Sequence, residues 1–173
     1  MTLGLTLINS YAVGSGGASS VVFSSIPQTY TDLKLVASAK TNRGTYKTDA
    51  IWVQLNGTTT GYSGKQLLMD GGGYTSNSTT NPLENYASAD DSLNSGNVFG
   101  NIEWYIYNYT SSNYKSISSD GAAEDNSTNG NELGMVASLW SNTAAITSMT
   151  IIPGYGTSFN QYSTFYLYGI TNH

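Results

Sequence analysis

Residues 31–40 alternate strictly, with Leu33, Leu35, Ala37 and Ala39 on one side and Asp32, Lys34, Ser38 and Lys40 on the other. Side chains of a strand point to opposite faces in turn, so a period of two marks a half-buried β-strand and excludes a helix. The same pattern predicts strands near 3–8, 20–25, 50–56, 97–107, 114–120, 133–140, 148–152 and 164–170, nine in all with the first. No segment carries a helical period. Short strands at this spacing predict an all-β fold, a single antiparallel β-sandwich over residues 1–173, of jelly-roll type.

The connections sort into two kinds. Asn56-Gly57 is a type I′ hairpin signal, because both central residues of that turn need positive φ, and Gly154-Tyr155-Gly156 separates the last two strands. Residues 61–96, with Gly71-Gly72-Gly73 inside, and 121–131 read instead as long polar segments. Loops of that length are commonly functional. The first, read as a long loop or insertion, is expected to face a partner.

Charge narrows the classes of function. Only 10% of residues are charged, against about 25% in an ordinary soluble domain, so the surface must be built from Ser, Thr, Asn and Tyr. Six basic residues, Lys34, Lys40, Arg43, Lys47, Lys65 and Lys115, stand against eleven acidic ones and form no run. Phosphate backbones are held by clustered Lys and Arg, so a nucleic-acid partner is not expected. There is no cysteine, hence no disulfide and no thiolate-held zinc. No apolar run approaches the roughly 20 residues of a spanning helix, and residues 1–8 lack the basic start of a leader, so no membrane partner is expected.

No catalytic, metal or cofactor site is expected. Asp90-Asp91 and Glu124-Asp125 are adjacent acids without the apolar setting that splits two carboxyl pKa values for glycoside cleavage. The run 125–130 imitates the start of a calcium loop, but its twelfth position is Val136 where a bidentate Glu is required. The single histidine, His173, is terminal. Tyrosine is the abundant chemistry. In 104–109 and 165–168, Trp104, Ile106, Phe165 and Leu167 are expected to face the core and Tyr105, Tyr107, Tyr109, Tyr166 and Tyr168 to face out. These five, with Tyr62, Tyr74 and Tyr86 from the long polar segment, are the candidate binding residues, suited to a subunit interface or to stacking on a sugar.

Several segments resemble a family of bacteriophage virion proteins. They are Phe23, Ser25 to Leu33 and Leu35; Ile106, Tyr109 and Tyr114-Lys115; Leu139, Trp140, Thr143, Ala145 to Thr147, Thr150 and Ile151; and Ser163 to Phe165 with Leu167 to Ile170. Residues 54–58 depart from the family's pattern, and 61–97 match nothing in it. The resemblance implies a non-enzymatic structural protein of a virion assembled in the host cytoplasm. Its expected role is capsid cement or decoration, bound to the major capsid protein or another virion protein as a small symmetric homo-oligomer, trimer or dimer. The alternative it implies is a glycan-binding, receptor-recognising module of a tail or head fibre. On this reading Leu139, Trp140, Met149, Ile151, Phe165 and Leu167 are inward-facing residues of the last strands.

Overall fold

A computed structural model describes residues 4–44, 46, 48–70, 72–90, 98–124 and 132–171. The acids Asp91 and Asp125, the calcium-loop-like run and His173 lie outside the described residues. Among the described residues the chain is all-β, with twelve strands in two antiparallel layers and no helix.

Sheet A has eight strands. In spatial order they are β1 (Gly4–Ala12), β12 (Thr164–Thr171), β3 (Asp32–Thr41), β8 (Gly100–Ile106), β9 (Lys115–Ala123), β10 (Glu132–Trp140), β5 (Tyr62–Asp70) and β6 (Gly73–Thr79). Sheet B runs β2 (Val21–Phe23), β11 (Met149–Pro153), β4 (Thr48–Leu55) and β7 (Asn85–Asp90). The far end of β3 also pairs with β7, in parallel, at Lys40↔Ala89 and Thr41↔Asp90, and this joins the layers along one side.

The core lies between the layers. Sheet A contributes Leu33, Leu35, Ile102, Trp104, Trp140, Phe165 and Leu167, and sheet B contributes Phe23, Ile51, Val53, Leu55, Met149 and Ile151. Buried polar groups bridge the layers instead of being left unpaired. Trp104 Nε1 donates to Leu83 O at 3.0 Å, and Asn85 Nδ2 to Ser119 Oγ at 3.0 Å. Lys115, also buried, donates to Ser111 O and Asn113 O at 2.7 and 2.6 Å, closing the 107–114 connection, and burial holds its ammonium below the ordinary lysine range.

The structure differs from the sequence expectations at definite places. Residues 61–96 are not a long loop: their described part contains β5, β6 and β7. Asn56 and Gly57 do take positive φ, 51° and 69°, but the turn carries the chain from sheet B to sheet A and makes no hairpin. Asn56 instead fastens the 145–148 segment, accepting from Thr147 N at 2.8 Å and Ser148 N at 3.1 Å while donating to Ala145 O. Leu139 faces out, because adjacent strand residues cannot both face in and Trp140 takes the core.

Candidate binding surfaces

Sheet A turns one face to the core and the other to solvent, and that outer face carries most of the predicted tyrosines. Tyr168 on β12 and Tyr105 on β8 share a rung with Lys34 between them. Tyr166 stacks beside Tyr168 with centroids 6.4 Å apart, and Tyr105 lies 4.4 Å from Tyr107. The buried carboxylate of Asp32 fixes this corner by accepting from Tyr105 OH at 3.0 Å and Asn108 N at 2.8 Å. At the centre Lys34 Nζ meets Glu103 Oε2 at 2.7 Å. Burial and neighbouring Glu103 push the Asp120 carboxyl up, against Lys34.

Two predicted residues are not on any surface. Tyr62 is buried, stacks on Trp140 at 6.4 Å, and its oxygen accepts from Leu55 N at 2.8 Å. Tyr109 is fully buried and donates to Pro27 O. Strand alternation was carried past its end here: β8 stops at Ile106, and Asn108 at φ 47° reverses the chain so that Tyr109 turns inward. Tyr74 projects from the edge strand β6 and is 78% exposed. Tyr86 lies on the opposite side of the molecule, on sheet B.

The far half of the outer face is apolar in a way the sequence reading missed. On β5 and β10 both faces carry apolar residues: Tyr62, Val136 and Trp140 point to the core together with Gln66, Gly134 and Ser138, while Leu67, Met69, Leu133, Met135 and Leu139 point to solvent. Register makes these side chains neighbours, since Met135 pairs with Leu67, Leu133 with Met69, and Met69 with Tyr74. A concavity of about 530 Å³ opens between Leu67, Met135, Ser118 and Asp120. Exposed apolar side chains scattered singly are unremarkable, whereas these lie next to one another across β10, β5 and β6.

Sheet B carries a second cluster on its own outer face. Trp52 of β4 meets Tyr155 edge-on at 5.7 Å, and Tyr86 lies 6.1 Å from Tyr155 with the hydroxyls 2.8 Å apart. The Arg43 guanidinium sits over Tyr46 at 3.9 Å and Tyr155 at 4.3 Å. Two buried carboxylates hold the group. Glu84 accepts from Trp52 Nε1 at 3.0 Å. Asp49 accepts from Thr41 Oγ1, Tyr155 N and Gly156 N, with Arg43 at 3.8 Å. Burial pushes the Asp49 carboxyl up, and these donors and Arg43 oppose it. Of this cluster only Tyr86 was anticipated, although Gly154-Tyr155-Gly156 marked the segment that presents Tyr155.

Burial raises four tyrosine hydroxyls above their ordinary value of 10: Tyr62, Tyr86, Tyr105, which is pushed up to about 12, and Tyr109. A group whose folded-state pKa is raised stabilises the fold below its unfolded value and loses that contribution as pH rises through the folded value. Stability should therefore fall with these tyrosines from about pH 10 upward. Ultraviolet titration of the 14 tyrosines should give an early reversible step and a late step coincident with loss of the far-ultraviolet β signal. A single step near pH 10 in a chain that stays folded would contradict this.

No protein family matches the chain, and no curated protein matches it.

Proposed function

We propose that the chain is a structural protein of a bacteriophage particle, a cement or decoration protein that attaches to the head shell through the outer face of sheet A. The observation that carries the reading is the apolar set on the outer face of β5 and β10, where Leu67, Met69, Leu133 and Met135 are exposed at neighbouring register positions. Full burial of such a side chain is worth about 1.5–3 kcal/mol, and since each of the four is about half exposed, complementary binding recovers roughly half of that at each. Eight strands about 4.8 Å apart make a face roughly 34 Å wide, enough for a standard interface of about 800 Å² per partner. The virion resemblance of the β2–β3, β8–β9 and β10–β12 segments supplies the context, an assembly of repeated subunits in the host cytoplasm.

The jelly-roll reading belongs with this proposal. The order β2-β11-β4-β7 alternates early and late strands as one sheet of a jelly roll does, whereas sheet A has eight strands where a jelly roll has four. A small cyclic oligomer, a trimer before a dimer, matches the symmetric sites of a shell. Binding the assembled shell and not its separated subunits then stabilises the shell in proportion to affinity. The second reading, a receptor-binding module of a fibre, draws on the aromatic cluster of sheet B.

The test is binding of the purified chain to particles of the virus that encodes it, stripped of this protein. Hundreds of copies should bind and restore heat resistance. Leu67→Lys and Met135→Lys should each weaken binding about tenfold or more and change the chain's own stability by less than about 0.5 kcal/mol, because both side chains already sit in water. Undiminished binding by both variants, or unchanged melting of loaded and stripped shells, would overturn the reading.

A further inference from the structure

We propose that the cluster on the outer face of sheet B is a saccharide site that takes neutral pyranoses by stacking on Trp52 and Tyr155. Three chain segments far apart in sequence, 43–52, 84–86 and 155, converge on Tyr155, which is 48% exposed and has the half-buried Trp52 ring edge-on to it. A pyranose ring has an apolar C–H face and hydroxyls at its rim. It therefore needs an open aromatic face with hydrogen-bonding groups at its edge. The Tyr86 and Tyr155 hydroxyls, 2.8 Å apart, supply oxygen lone pairs there, and the Arg43 guanidinium covers one face of the Tyr155 ring, so a sugar stacks on the other.

The rings are held before any ligand arrives. Glu84 fixes the tilt of the Trp52 indole, and Asp49 fixes both amides after Gly154. The flanking glycines are required by contact: a Cβ on Gly154 would lie 2.7 Å from Ala50 Cβ and 3.0 Å from Trp52 Nε1, and one on Gly156 would lie 3.0 Å from Asp49 Oδ2. Gly-Tyr-Gly thus lays Tyr155 against Trp52 at a distance that other residues would not permit. Preorganised side chains lose little freedom on binding, which separates a built site from surface aromatics that merely cover a sheet. Charge selects the sugar class. One guanidinium stands against the carboxylates of Asp49 and Glu84, which disfavours uronic and sialic acids.

The face lies on the opposite layer from Leu67 and Met135, so a chain attached through sheet A would still present it outward. The experiment uses the free chain and is read independently of the particle proposal. Maltohexaose, cellohexaose, mannohexaose, N-acetylchitohexaose and, as the acidic arm, trigalacturonate are titrated against acrylamide quenching of tryptophan emission. Trp104 and Trp140 are each 1% exposed, so the quenchable signal is that of half-buried Trp52. At least one neutral hexaose should protect Trp52, and Tyr155→Ala, still folded by circular dichroism, should bind it about tenfold more weakly. Should Tyr155→Ala lose its fold, Tyr46→Ala removes an exposed ring from over Arg43 and serves as the comparison, with a loss of about threefold or more expected. No protection by any neutral hexaose up to about 10 mM, undiminished binding by the folded variant, or tighter binding of trigalacturonate would overturn the proposal.

Discussion

Glu84→Ala should lower the melting temperature by about 10 °C, a large effect for one polar residue. Glu84 is 2% exposed and is satisfied from four directions. Trp52 Nε1 and Asn81 Nδ2 each donate to Oε1 at 3.0 Å, while Gln66 Nε2 and Thr79 Oγ1 donate to Oε2 at 2.9 and 2.7 Å. These donors come from β4, β5, the end of β6 and the turn before β7, so one carboxylate joins both sheets. Hydrogen bonds to a charged group contribute about 1.5–3 kcal/mol each, and a donor left buried without an acceptor costs about 1–3 kcal/mol. Water can reach Trp52 and Asn81, which are half-buried, but not Gln66, so the net loss is about 3–4 kcal/mol and not the full sum. At about 2–4 °C per kcal/mol for a chain of this length, that gives the stated shift. Glu84→Gln keeps the shape but turns an amide N–H₂ toward a donor pair, and should cost about half as much. Calorimetry of the three proteins decides: a drop below about 3 °C for Glu84→Ala would mean that the four contacts are not a structural junction.

That junction was invisible in the sequence, and the reason is general. Alternation is legible only where one face is apolar and the other polar, as in β3, β8 and β12. The strand β6, Gly-Tyr-Thr-Ser-Asn-Ser-Thr, has no apolar side to read, and it is a strand because β5 offers it a complete ladder of partners. On β5 and β10 both faces carry apolar residues, Tyr62, Val136 and Trp140 inward and Leu67, Met69, Leu133, Met135 and Leu139 outward, so hydropathy alone does not tell one face from the other. Leu139 was misassigned for that reason. The candidate sites followed the same division. The outward placement of Tyr105, Tyr107, Tyr166 and Tyr168 is legible because each sits on a regular strand or directly after one, whereas Trp52, Arg43 and Tyr155 are brought together by the pairing of β11 with β4 and by the connection that leads into β4. No spacing in the sequence encodes that convergence.

Gly169→Ala should destabilise the chain by about 2–3 kcal/mol, and the loss should largely vanish in a Tyr30→Ala background. Glycine inside a strand is ordinarily a weakness, and alanine there gains about 0.5–1 kcal/mol by restricting the unfolded chain. Gly169 is the exception because the Tyr30 ring lies flat on its backbone: an added Cβ would fall 2.6 Å from Tyr30 Cδ1 and closer still to Cγ and Cδ2. The ring would have to retreat by about 1 Å to reach ordinary contact. Its own backbone resists this, since Thr31 N donates to Ile170 O at 2.8 Å and Tyr109 OH to Pro27 O. Tyr30 of segment 23–35 thus covers Gly169 of segment 163–170, beside the β3–β12 ladder that pairs Asp32 with Ile170 and Leu35 with Leu167. Gly4, on edge strand β1, is the internal control, for nothing lies within 4 Å of its absent Cβ and Gly4→Ala should be neutral or stabilising. A double-mutant cycle in urea reads the coupling. Additivity of Gly169→Ala and Tyr30→Ala within about 0.5 kcal/mol would mean that the Tyr30 ring does not restrict position 169.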